Sequence, residues 1–149
     1  MRDAPGATVA ALAAAASAAA PFMTAQEAAL TLAGLERLQC DTLQPSVAAA
    51  LLTRLEACAG ELRARPLRRA LDALCDMRLR RGEGLSEGLA RGLQGAAART
   101  APQLSAKHRA HVAQRLLALR CAVPAALGVD LEASAGAAAA AALAEPILA

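Results

Sequence analysis

The chain has 149 residues, enough for one domain or a few stacked repeat units. Its apolar content is 56%, much of it alanine, while aromatic side chains are limited to Phe22 and β-branched residues are scarce, which disfavours any strand-based fold. The net charge is only +3, but residues 61–120 hold thirteen basic and five acidic residues, so the middle of the chain is a basic block.

A short alanine-rich helix is predicted first, after an N-terminal tail at residues 1–7. Residues 8–20 are rich in strong helix formers. The stretch is shorter than the ~20 strongly apolar residues that span a bilayer. It therefore predicts a packed helix and no membrane contact.

Leucine spacing then predicts three helices, called A helices here, at residues 24–40, 65–79 and 105–121. Leu32, Leu35 and Leu38 share one helical face. The same face recurs in the second A helix as Leu71, Leu74 and Met77, and it continues in the third as Leu116 and Leu119. Thr24 followed by Glu27 has the form of a capping box, and Ser105 is a suitable N-cap for the third A helix.

Shorter apolar periods between the A helices predict B helices. Val47, Leu51 and Leu55 recur one repeat later as Leu85, Leu89 and Leu93, and after a further repeat as Leu127 and Leu131. The predicted fold is therefore all-α, with tandem helical hairpins stacked as a short α-solenoid. This array covers residues 8–134 as half a repeat plus three helix pairs, and an alanine-rich tail follows at residues 135–149.

The side chains that could carry chemistry predict neither an enzyme nor a metal site. The four cysteines form no CxxC pair, and each is expected to be a small core residue. His108 and His111 could share a helix face, but no second ligand pair has zinc-like spacing. No nucleophile elbow or phosphate loop is present. We expect no catalytic residue, cofactor, metal or small-molecule substrate.

The basic block is the one constellation with functional content. Its candidate nucleic-acid-binding residues are Arg65, Arg68, Arg69, Arg78, Arg80, Arg81, Arg99, Lys107, Arg109 and Arg115. One reading is a solvated face in which Arg68 pairs with Asp72 and Arg80 with Asp76 at i,i+4 spacing. The other is a track of arginines that contacts phosphates.

Three segments carry a family resemblance: TAQEAALTLAGLERL (24–38), RPLRRALDALCDMRL (65–79) and the intervening PSVAAALLTRLEA (45–57). Their alternation resembles the octotricopeptide and heptatricopeptide arrays of organellar proteins, including those joined to RAP or FAST-kinase-like domains. The resemblance implies a non-enzymatic α-solenoid in a mitochondrion or chloroplast that binds single-stranded RNA during processing, stabilisation or translation. The alternative is a scaffold or structural subunit that stacks on a protein partner, or on further repeats, at its open ends.

Overall fold

The protein is all-helical over the residues that its computed structural model describes, which are 3–38, 45–81 and 85–129, with side chains described for 8–38, 45–77 and 85–129. These ranges hold six α-helices and no strand. The helices are α1 (Asp3–Ala19), α2 (Ala25–Leu38), α3 (Pro45–Cys58), α4 (Ala64–Arg81), α5 (Glu87–Thr100) and α6 (Ala106–Ala118). The all-α prediction is confirmed. The first helix begins within the range expected to be an N-terminal tail.

The predicted A helices correspond to α2, α4 and α6. Both predicted caps are confirmed. The amide of Glu27 donates to Thr24 Oγ1 (3.1 Å), and the amide of Thr24 donates to Glu27 Oε1 (2.9 Å). The hydroxyl of Ser105 accepts from the amide of His108 (3.2 Å). Each cap satisfies amides that the first helical turn leaves without a partner.

A short 3-10 turn precedes each A helix and recurs with the same spacing as the A helices. The turns are turn 1 (Ala20–Phe22), turn 2 (Ala59–Glu61) and turn 3 (Ala101–Gln103). In each, the first alanine is 1% exposed. Its carbonyl accepts at 3.1 Å from the amide three residues on, which belongs to Met23, Leu62 or Leu104. Only a small side chain fits where the chain reverses so closely against its neighbours.

Helices of the same kind pack against one another. The A helix α4 contacts both α2 and α6, while α3 contacts both α1 and α5. A single cluster of buried residues runs between these two rows. Its largest members are leucines such as Leu32, Leu51, Leu71 and Leu93, all fully buried. Each contributes about 1.5–3 kcal/mol on burial, which offsets the small contribution of the many alanines.

The predicted register of the second B helix is wrong by about one helical turn. Helix α5 begins at Glu87 because the hydroxyl of Ser86 accepts from the amide of Leu89 (3.2 Å) and caps the helix there. Leu85 therefore precedes the helix and is half-buried. Val47 corresponds to Leu89 rather than to Leu85.

The third predicted B helix is not found at its expected start. Residues Ala125–Leu127 form a 3-10 turn, called turn 4, which ends at Gly128 with φ of +62°. Glycine adopts this left-handed conformation without steric cost. Leu131 and the tail at 135–149 lie outside the described residues.

Candidate nucleic-acid interface

The first turns of α2, α4 and α6 lie along one edge of the molecule. At the end of α3, Arg54 Nε donates to the carbonyl of Met23, just before α2 (2.6 Å). At the end of α5, Arg99 Nη2 donates to the carbonyl of Gly60, just before α4 (2.8 Å). Since α6 follows α5 after turn 3, it starts at the same edge. We call residues 24–27, 63–69 and 105–109 the A-helix edge.

A glutamine ties the first two helix starts together. The Nε2 of Gln26 in α2 donates to the carbonyl of Glu61 in turn 2 (2.9 Å). Its Oε1 accepts from the amide of Arg63, next to α4 (2.9 Å). This pair of bonds fixes the start of α4 beside the start of α2, so side chains from both helices face the same solvent region.

Cations dominate the α4 and α6 portions of the A-helix edge. Residues 62–71 contain four arginines and no acid, and residues 104–120 also contain no acid. Five predicted site residues lie here: Arg65, Arg68, Arg69, Lys107 and Arg109. Neither helix has an acidic residue in its first turn. Cations at this end oppose the helix dipole by about 0.3–1 kcal/mol each, whereas an anion would be favoured.

The edge cations differ in their exposure. Arg65, Arg69 and Lys107 are exposed, whereas Arg68 and Arg109 are half-buried. The Nε atoms of Arg68 and Arg109 are shielded from solvent and have no hydrogen-bond partner among the described residues. A partly desolvated guanidinium attracts an anion more strongly than one in bulk water.

One edge cation was missed by the sequence analysis. Arg63 is exposed and directly precedes α4. It occupies the position before α4 that Thr24 occupies before α2 and Ser105 before α6. Comparison of the cap positions across the repeats would have identified it.

Arg99 was predicted as a binding residue, but the structure gives it an internal partner. Its Nε and Nη2 donate to the carbonyl of Gly60 at 3.1 and 2.8 Å, and Nη2 also donates to the carbonyl of Leu62. These carbonyls belong to turn 2 and the residue that follows it. Arg99 therefore holds the end of α5 against the start of α4.

Arg115 is also held by an internal contact, and this contact replaces a predicted one. Asp72 Oδ1 lies 3.0 Å from Arg115 Nε and 2.8 Å from His111 Nε2, so α4 and α6 are bridged by charge. Among the described residues, Arg68 forms no ion pair with Asp72. The predicted i,i+4 pair between these two residues is therefore wrong, since the carboxylate pairs across to the next A helix.

Beside the cationic edge, a groove of mixed charge lies between α2 and α4. Its volume is about 410 Å³. Its charged lining residues are Glu36, Arg37, Arg69, Asp72 and Asp76. Three of these are acids and two are arginines, so the groove has no excess of positive charge of the kind that attracts a polyanion.

The remaining predicted site residues, Arg78, Arg80 and Arg81, lie in the last turns of α4. Their side chains fall outside the described residues, as does the predicted pairing of Arg80 with Asp76.

The described residues provide no metal-binding cluster. They contain no group of three or more His, Cys, Asp and Glu side chains placed to hold a metal ion. Cys58, Cys75 and Cys121 are buried. Burial raises the pKa of the Cys58 and Cys75 thiols, which disfavours the thiolate. Cys40 lies outside the described residues.

None of the helices described is both long and apolar enough to cross a bilayer.

Fold and site together define an all-helical protein with a cation-rich edge. No protein-family model, curated protein or solved structure matches the chain.

Proposed function

We propose that the protein is a non-enzymatic helical-repeat protein, a short α-solenoid that binds single-stranded RNA through its A-helix edge. Support for the solenoid comes from the packing of α2, α4 and α6 in one row and of α1, α3 and α5 in another. The recurrence of the 3-10 turn before every A helix adds to it. Repeat units that contact only their neighbours build arrays of this kind.

The observation that carries the RNA proposal is the acid-free cluster of cations at the starts of α4 and α6. Phosphates gain both from arginine or lysine and from the positive ends of two neighbouring helices. Arginine also offers several donors in a planar fork that suits phosphate oxygens. Such contacts position a nucleic-acid backbone without reading its sequence.

Phe22 adds a stacking surface at the same edge. It is the only aromatic residue of the chain. It lies in turn 1, just before α2, with 86% of its surface exposed. One base stacked on such a ring gains about 1–3 kcal/mol. Unpaired bases are available in single-stranded RNA and not in a duplex, so we propose the single-stranded form as the ligand.

The resemblance to organellar repeat arrays adds a biological setting to this proposal: a role in transcript processing, stability or translation in a mitochondrion or chloroplast.

Filter binding of a single-stranded RNA at 50 and 200 mM salt tests the proposal. Six edge cations, Arg63, Arg65, Arg68, Arg69, Lys107 and Arg109, would give a slope of about −4 for log affinity against log salt, at about −0.7 per phosphate contact. Affinity should then fall about 10²–10³-fold between the two salt concentrations. Binding that is absent, or unchanged by salt, would reject the proposal.

A pair of charge variants locates the binding surface. Replacing both Arg65 and Lys107 by glutamine should reduce the magnitude of the salt slope by about 1.4. The matched control replaces Arg91 and Arg120 by glutamine. These cations are exposed and lie away from the A-helix edge, so the salt slope should not change. Equal losses in both variants would show a diffuse charge effect rather than a site. In a separate variant, Phe22→Ala should weaken binding to single strands at every salt concentration.

The mixed-charge groove supports a second candidate function, that of a scaffold for a protein partner. Its three acids and two arginines suit a protein surface with both charges better than a phosphate backbone. The variant Asp76→Lys reverses one groove charge and leaves the A-helix edge intact. A stoichiometric partner that is retained after nuclease treatment and lost in this variant would favour the scaffold.

A further inference from the structure

A small cleft, called the turn-1 cleft here, lies between turn 1 and α3 at the α2 end of the A-helix edge. Its volume is about 330 Å³. This is at the lower end of the range of ligand pockets, about 300–1,000 Å³, and suits a single flat ring system. Apolar lining comes from Pro21 of turn 1 and from Ala50 and Ala57 of α3, and polar lining comes from Thr53 and Arg54 of α3. The cleft therefore offers apolar surface to the face of a ring and polar groups to its edge.

The next repeat shows why a cleft is open at turn 1. Since Val47 corresponds to Leu89, Ala50 of α3 corresponds to Gly92 of α5. At Gly92, helix α5 lies so close to turn 2 that an added Cβ would be 2.7 Å from the Cβ of Ala59. Ala50 carries such a Cβ, so α3 cannot approach turn 1 as closely as α5 approaches turn 2. In agreement with this, α3 packs less closely on turn 1 than α5 packs on turn 2.

The arginine of the turn-1 cleft keeps donors that the arginine at turn 2 uses internally. Arg54 holds turn 1 through one bond, from Nε to the carbonyl of Met23 (2.6 Å). Its two Nη atoms form no hydrogen bond with the residues that the structure describes. Arg99 holds turn 2 through both Nε and Nη2, which donate to the carbonyls of Gly60 and Leu62. The Nε bond of Arg54 therefore fixes a half-buried guanidinium and leaves its Nη donors for a ligand.

We propose that the turn-1 cleft binds one unpaired base of the single-stranded RNA and prefers guanine, an inference that rests on the proposed RNA-binding function. Guanine presents two neighbouring acceptors, O6 and N7, which are the commonest bidentate partners of arginine. Adenine has an amino donor in place of O6, which would oppose the donors of Arg54. Phe22, next to Pro21 in turn 1, is exposed and stacks an adjacent base, while the edge cations hold the backbone.

Filter binding of short oligouridines that carry one central guanine, adenine or cytosine tests the base preference. These oligomers have the same number of phosphates, so the edge cations contact them equally and a difference in affinity arises from the base. At the higher of the two salt concentrations, the full chain should bind the guanine oligomer at least about fivefold more tightly than the other two. Equal affinities, or a preference for adenine or cytosine, would overturn this subsite and leave the proposed function in place. Absence of binding to all three would reject the proposed function and the subsite with it.

A pair of alanine variants on α3 tests whether the base binds in this cleft. Ala57→Leu occupies the turn-1 cleft and should abolish the guanine preference without changing the salt slope. The matched control is Ala49→Leu, because Ala49 is also exposed on α3 but lines a different cleft, towards the start of α5; it should keep the preference. Both sites are exposed and leucine is a strong helix former, so neither variant should unfold the chain. Arg54→Lys keeps the charge but loses the planar fork, and it should also lose the preference. A wild-type guanine preference in Ala57→Leu would overturn the assignment of the base to the turn-1 cleft.

Discussion

Replacing Gly92 by alanine should destabilise the fold, whereas the same replacement at Gly95, three residues further along α5, should stabilise it. A Cβ added at Gly92 would lie 2.7 Å from the Cβ of Ala59 and 3.4 Å from the amide nitrogen of Gly60, both in turn 2. Carbon atoms in favourable contact are about 3.5–4.0 Å apart. Helix α5 and turn 2 would therefore have to separate by roughly 1 Å.

Two opposing effects set the size of the change at Gly92. Alanine gains about 0.5–1 kcal/mol over glycine inside a helix. Overpacking at a tight contact costs about 1–3 kcal/mol. The larger effect is the contact, so Gly92→Ala should lower the free energy of unfolding by about 0.5–2 kcal/mol. At Gly95 no described atom lies within 4 Å of the added Cβ, so only the helix-propensity gain remains.

Urea denaturation followed by circular dichroism at 222 nm measures both variants, since the chain has no Trp or Tyr to report by fluorescence. Both variants gain the same helix propensity. The difference between the free energies of unfolding of Gly92→Ala and Gly95→Ala therefore measures the effect of the contact with turn 2. A double variant with Ala59→Gly removes the opposing Cβ and should recover much of the loss at Gly92, as a favourable coupling in a double-mutant cycle. If Gly92→Ala is as stable as Gly95→Ala, α5 does not approach turn 2 this closely.

Four further outcomes follow from single contacts. Arg120, just after α6, has a φ of 60°, a left-handed conformation that favours glycine. Arg120→Gly should therefore stabilise the fold by about 0.5–1 kcal/mol and raise the midpoint of thermal unfolding. Ser105→Ala removes the α6 cap and should lower the free energy of unfolding in urea by about 1 kcal/mol. Asp72→Asn breaks a half-exposed ion pair with Arg115 and should cost at most about 1 kcal/mol in denaturation at low salt, and less at high salt. Hydrogen bonds from the backbone and then the side chain of Thr24 lower the pKa of Glu27. Ionised Glu27 therefore stabilises the fold fully above the ordinary glutamate pKa, and this stabilisation is lost as the pH falls through the lowered pKa. An NMR titration of the Glu27 carboxyl should give a midpoint below that of a glutamate in an unstructured peptide.

Leucine periodicity predicted the A helices because leucines at helical spacing lie on one face of a helix, and that face is the one that packs into the core. Leu32 and Leu35 are buried as expected. Leu38 has the same spacing but is 62% exposed. Its counterparts Met77 and Leu119 are buried. The pattern therefore identifies the face that the repeat can bury, and it cannot show whether a neighbour is present to cover that face.

The B helices show a different limit. Leu85, Leu89 and Leu93 recur at every fourth position, so a shift by one helical turn matches the previous B helix almost equally well. The start of α5 is decided instead by a hydrogen bond from one amide to the Ser86 hydroxyl. Cap chemistry set the register here, and leucine spacing alone could not distinguish the two alignments.

The arginines divide into two kinds that local sequence rules cannot separate. Arg99 donates to a carbonyl in the turn of the preceding repeat, and Arg115 pairs with Asp72 on the preceding A helix. Both partners are far away in sequence, whereas the sequence analysis considered only acids four residues from an arginine. An arginine that holds two repeats together should affect the free energy of unfolding when it is replaced. An exposed arginine at the A-helix edge, such as Arg65, should instead affect the salt slope of RNA binding. If replacing Arg99 lowers stability while replacing Arg65 lowers only the slope, the fold and the proposed interface depend on different members of one basic block.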